Sequence, residues 1–123
     1  MKSPRSSVAL RTLGALLFAA ALCAPAQSMT IRELRAVQAS DARHGESFVL
    51  YYLVGVMEGV VEAHAHDVRQ GAKPRICLDG RRLEPRMAQG LYQGEMRRNV
   101  DVYEADMSAQ LVIANALAAA YPC

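Results

Sequence analysis

Between residues 30 and 122, hydrophobic and polar positions recur with the period of a helix rather than the alternation of a strand. Thr30-Ile31-Arg32-Glu33 places a hydroxyl and a carboxylate at the offset of a capping box. Ile31, Leu34 and Val37 then share one helical face, and the pattern predicts a first helix to about His44, with Gly45 as its C-terminal stop. The next stretch, ESFVLYYLVGVMEGVVEAHAHDVRQG, is apolar without interruption from Phe48 to Met57 and continues through Val60, Val61 and Ala63 to Gly71. It is too long without a turn signal for a strand, so it predicts a buried central helix. Gly55, Gly59 and Ala63 recur every fourth residue and form a smooth strip along that helix. A mid-helix glycine costs about 1 kcal/mol relative to alanine. Two of them at helical spacing therefore predict a second backbone packed close against the strip.

Residues 71–82, GAKPRICLDGRR, read as a loop, with Pro74 and an Asp79-Gly80 turn signal. A third helix is predicted to start at Leu83-Glu84-Pro85, where proline occupies the first turn. Leu83, Met87 and Leu91 line one of its faces, and Ala88, Tyr92 and Met96 the adjacent one. Asn99 marks a break, and Asp101 or Asp106 is expected to cap a fourth helix through SAQLVIANALAAA. That segment is apolar almost all round apart from Asn115, so it should be buried, and Pro122 ends it. The fold class predicted is all-α, a small bundle of roughly four helices, with no internal repeat and no second domain.

The first residues change how the rest is read. Lys2, Arg5 and Arg11 form a basic head, an apolar run covers Leu13 to Cys23, and Ala24-Pro25-Ala26 has small-x-small spacing. This is the pattern of a secretory signal peptide over residues 1–26. The apolar run, about eleven residues, is short against the roughly 20 needed to cross a bilayer. Cleavage after Ala26 would leave a domain of residues 27–123 in an oxidising compartment, with no membrane span. Eleven basic residues would then face twelve acidic ones, so the formal charge of +2 becomes −1. Nucleic acid as a partner loses its electrostatic support. Cys77 and Cys123 remain, and two cysteines in a secreted chain allow one intramolecular bond. A reactive thiol, a metal ligand and a bond between chains are the alternatives, without CxxC spacing or a nearby histidine to favour them. The disulfide would explain a cysteine at the extreme C-terminus, since it anchors an end that would otherwise fray.

Candidate chemistry is sparse. His64, His66 and Asp67, with Glu58 and Glu62 upstream, suggest a metal, yet residues two apart on a helix point to different faces. Glu62 and His66 are a turn apart and Glu58 is a further turn away, which leaves two ligands at most in one place, short of the three or four zinc prefers. No metal or other cofactor is expected. The serines at 28, 40, 47 and 108 carry no nucleophile motif, and no phosphate loop is present, so no enzyme is expected. Arg69, Lys73, Arg75, Arg81, Arg82 and Arg86 flank one loop and form a candidate electropositive rim for an acidic partner.

Two features together suggest a family. Tyr52-Leu53-Val54-Gly55-Val56-Met57-Glu58 has the form aromatic-x-x-Gly-x-x-acid, and Ile76-Cys77 opens the following segment. Ala109-Gln110-Leu111-Val112 leads through Ala116-Leu117 to Tyr121-Pro122-Cys123, a closing helix with an aromatic-Pro-Cys end. In these residues, spread over 46–123, the chain resembles the Rap/Tai family of small periplasmic immunity proteins. The resemblance implies a periplasmic inhibitor of a peptidoglycan amidase delivered by type VI secretion, self-associating and engaging the amidase cleft with a helix or loop. A cell-envelope binding or structural module of the same fold, without a toxin, is the alternative function.

Overall fold

The computed structural model describes residues 27–123; the expected signal peptide lies outside them. Four helices make up the described chain: α1 (Ile31–Ser40), α2 (Gly45–Arg69), α3 (Met87–Arg98) and α4 (Ala109–Ala120). Among the described residues there is no strand, only an isolated antiparallel bridge between Thr30 and Ser108. The all-α expectation and the count of four hold.

The capping box forms as the sequence predicts. The Thr30 hydroxyl oxygen accepts from the Glu33 N–H at 3.2 Å, and the Glu33 carboxylate accepts from the Thr30 N–H at 2.7 Å. α1 ends earlier than expected, at Ser40, with Asp41 as its C-cap. Gly45 is not a stop; it opens α2. A Cβ there would overlap the carbonyl oxygen of Gln38, so the tight α1–α2 corner needs a residue without one. Asp41 supports the corner by accepting from the N–H groups of Arg43 and His44 at 2.7 and 3.0 Å.

α2 is the central element, packed against α1, α3 and α4. Its buried residues Val49, Leu53, Met57 and Val60 meet Leu34 of α1, Ala88 of α3, and Ala109, Ile113 and Leu117 of α4. It is central without being buried all round. Of its most apolar 18-residue window only 22% is buried within the chain, and Phe48 and Tyr51 are exposed.

Two other boundaries move. α3 begins at Met87, two residues after Pro85, which sits in a turn closed by the Ala88 N–H to the Pro85 carbonyl at 3.2 Å. α4 is capped by Ser108, whose hydroxyl oxygen accepts from the Leu111 N–H at 3.1 Å, in place of Asp101 or Asp106. The choice is set by tertiary pairing: the Ala109 N–H bonds the Met29 carbonyl at 3.0 Å and the Ile31 N–H bonds the Met107 carbonyl at 2.9 Å. The starts of α1 and α4 are thereby stitched together, which fixes where α4 begins. Val112, Ile113, Ala116 and Leu117 are fully buried, as the all-round apolar pattern of that helix requires.

Candidate functional site

The C-terminal cysteine is bonded to Cys77, with the two Cα atoms 4.9 Å apart. Neighbouring contacts hold the same junction. The Cys77 N–H donates to the Tyr121 carbonyl at 2.8 Å, and the Tyr121 ring is buried in the core. Arg81 folds back over this end: its guanidinium donates to the carbonyls of Leu78 and Cys77 at 2.8 and 2.9 Å and lies 4.8 Å from the centroid of the Tyr121 ring. Asp79 and Gly80 both take positive φ, 50° and 77°, in the turn between Cys77 and Arg81. The aromatic-Pro-Cys tail thus combines a core plug, a helix stop and a covalent tie.

His64 anchors the residues just before Cys77. Its Nε2 accepts from the N–H groups of Arg75 and Ile76 at 3.3 and 3.2 Å, which puts the ring proton on Nδ1. His66 is exposed, and among the described residues no three of His, Cys, Asp and Glu converge as a metal set. The histidine pair divides into one loop anchor and one solvated side chain.

The six basic residues of the candidate rim also divide. Arg81 is spent on the junction just described. Arg69 pairs with Glu62 at 3.2 Å and Arg86 with Glu84 at 2.6 Å. Lys73, Arg75 and Arg82 are exposed, with no carboxylate partner among the described residues, and are the charges left for a ligand.

The strip on α2 departs from expectation. A Cβ built on Gly55 or Gly59 would meet nothing within 4 Å, and Gly55, Gly59 and Ala63 are all exposed. No backbone of the described chain packs against either glycine, because α4 crosses α2 along the Leu53–Met57–Val60 side instead. What remains is an open furrow of about 460 Å³ bordered by Tyr51, Tyr52, Val56 and Gln110.

A second hollow was not legible in the sequence. α1 and α3 each pack on α2 far more than on one another. Between them is a pocket of about 230 Å³ with Leu34, Val49 and Leu53 at its base and Arg35 and Arg97 in its lining. Also missed was the polar network under the α3–α4 connection. Glu95, 4% exposed, accepts from Tyr103 Oη at 2.7 Å and Asn99 Nδ2 at 2.8 Å, and Asn115 donates to Tyr103 Oη at 3.0 Å. Burial, and then the neighbouring Glu95 acceptor against the opposing Asn115 donor, leaves the Tyr103 phenol raised above its ordinary range. Asn115, which interrupts the apolar run of α4, is explained by this network. Its partners lie on another helix and a loop, so local pattern gives no sign of them.

These features define a small disulfide-tied helical protein with open apolar and basic surface. The Rap1a immunity protein family model matches residues 18–123, and the chain belongs to that family. It is an immunity protein directed at a secreted protein effector. Neither the curated proteins nor the solved structures include a significant match.

Proposed function

We propose that this protein neutralises, by stoichiometric binding in the periplasm, a peptidoglycan amidase delivered by type VI secretion. The family match over residues 18–123 carries the reading, since it makes a protein effector the partner. The leader-like residues 1–26 and the Cys77–Cys123 bond agree with an exported, oxidised protein. The unpaired Lys73, Arg75 and Arg82 form an electropositive rim suited to steering an acidic partner. Self-association would place a second copy on the open Gly55–Gly59–Ala63 strip, where two helices can approach closely.

The test is protection. Cells expressing the chain with its leader should survive periplasmic delivery of the amidase encoded beside it, and the purified pair should form a complex with amidase activity abolished. Full toxicity in the presence of exported, folded protein would refute the reading. Sedimentation of the wild type against Gly59→Arg tests self-association separately: a dimer that becomes a monomer supports it, and a wild-type monomer at micromolar concentration rejects it.

A further inference from the structure

The pocket between α1 and α3 combines two properties that sequence pattern did not bring together. Its base is apolar and part of the core: Leu34, Val49 and Leu53 are 3%, 5% and 0% exposed. Its lining contains two arginines, Arg35 from α1 and Arg97 from α3, and no carboxylate. Neither guanidinium is in an ion pair among the described residues, although Arg98, next to Arg97, is paired with Glu95. Burial holds the Tyr92 phenol on the pocket wall above its ordinary range, and the charge of Arg35 works against that shift.

The origin of the hollow is structural. α1 packs on α2, and α3 packs on α4 as well as on α2, so the two flanking helices scarcely meet, and Gln38, Gln89 and Gln93 line the space between them. Its volume, about 230 Å³, falls below the roughly 300 Å³ at which small-molecule sites begin. One large apolar side chain is the better fit, in the way a buried anchor fills a pocket at a protein interface. The unpaired guanidiniums fix the sign of what should lie beside that anchor.

We propose that this pocket is a docking site on the immunity protein for its effector, receiving one apolar side chain of the effector with an Asp or Glu carboxylate next to it. The half-buried Tyr92 and Met96 on the pocket wall take up the side chain above the Leu34–Val49–Leu53 floor, and Arg35 and Arg97 clamp the carboxylate from the two helices. This rests on the reading of the chain as an effector-binding protein, and it locates contact on the α1/α3 face as well as on the basic loop of residues 69–86.

The experiment measures the dissociation constant of the identified effector for the full mature chain and for two pocket variants. Arg35→Glu with Arg97→Glu reverses the clamp, and Gln93→Trp fills the hollow from an exposed rim position. Circular dichroism establishes that each variant is folded, and Lys73→Glu in the basic loop serves as a comparison. Both pocket variants are expected to weaken binding at least tenfold, and reversal of the contacting effector carboxylate to Arg should restore affinity to the double-Glu variant. Wild-type affinity in both folded variants overturns the pocket while leaving the immunity reading in place. A wild-type chain that binds no effector overturns both.

Discussion

At the scale of single residues, the glycines divide by what surrounds them rather than by where they fall in the pattern. Gly45 sits where a Cβ would overlap the Gln38 carbonyl, so Gly45→Ala must push α1 and α2 apart. A cost of about 1–3 kcal/mol is expected, the range of other overpacking changes. Gly59 has open space around it and an ordinary helical backbone, so Gly59→Ala should stabilise the monomer by about 1 kcal/mol through helix propensity. Chemical denaturation of the two variants should shift the midpoint in opposite directions. The sequence showed both glycines but not this difference, because a close approach across a corner depends on how two helices meet. Titration gives a second prediction at this scale. The Glu33 carboxyl is held below its ordinary range by the Thr30 N–H and then the Thr30 hydroxyl, and Asp41 by the N–H groups of Arg43 and His44 and then the His44 ring. Both groups bind protons more weakly folded than unfolded. Their stabilisation is therefore present above the ordinary carboxylate range and is lost as pH falls through the lower folded values. The double variant Glu33→Gln, Asp41→Asn should be less stable than wild type at pH 7, and the gap should narrow as the pH is lowered below about 4. A gap independent of pH would remove these two carboxyls from the acid response.

At the scale of elements, helix identity was legible and helix ends were not. The apolar periodicity gave four helices in the right order, and the capping box at Thr30 was readable because both of its partners are local. The start of α4 depended on Met29 and Met107 carbonyls brought in by the meeting of two helix N-termini, and no window of sequence around Asp106 contains Met29. Ser108 is now the cap to test. Ser108→Ala should destabilise the protein by about 1 kcal/mol, while Asp101→Ala and Asp106→Ala should be close to neutral. Equal losses at 106 and 108 would mean that the helix also starts earlier in solution, capped by Asp106. The same limit explains the candidate sites. Arg81 and His64 read from the sequence as parts of a charged rim and a polar helix end; the fold uses them to pin residues 75–78, midway along the connection from α2 to α3. A rim drawn from sequence counts every basic residue, whereas in the structure three of the six are already engaged by their own chain.

At the scale of the whole molecule, the described domain has 97 residues, a size at which burial leaves little margin, and the thinly covered α2 narrows it further. The bond joining Cys77 to Cys123, 46 residues apart, bears on this directly. Closing a loop of that length should disfavour the unfolded chain by about 4 kcal/mol in the chain-entropy picture. It also holds Tyr121 in the core and the 70–81 loop against the end of α4. The pairing was readable from cysteine count and inferred compartment; the Arg81–Tyr121 contact that shares its junction was not. Cys123→Ser should lower the melting temperature by at least 15 °C or so, taking the several degrees per kcal/mol typical of domains this size. Reduction should bring the wild type down to the same value, and the variant should be insensitive to reductant. The noncovalent latch adds a further discrimination. If Arg81 and Tyr121 hold the terminus independently of the sulfurs, Arg81→Ala should cost stability in the Cys123→Ser background too. A cost seen only with the bond intact would mean that the covalent tie positions the tail and the guanidinium merely covers it.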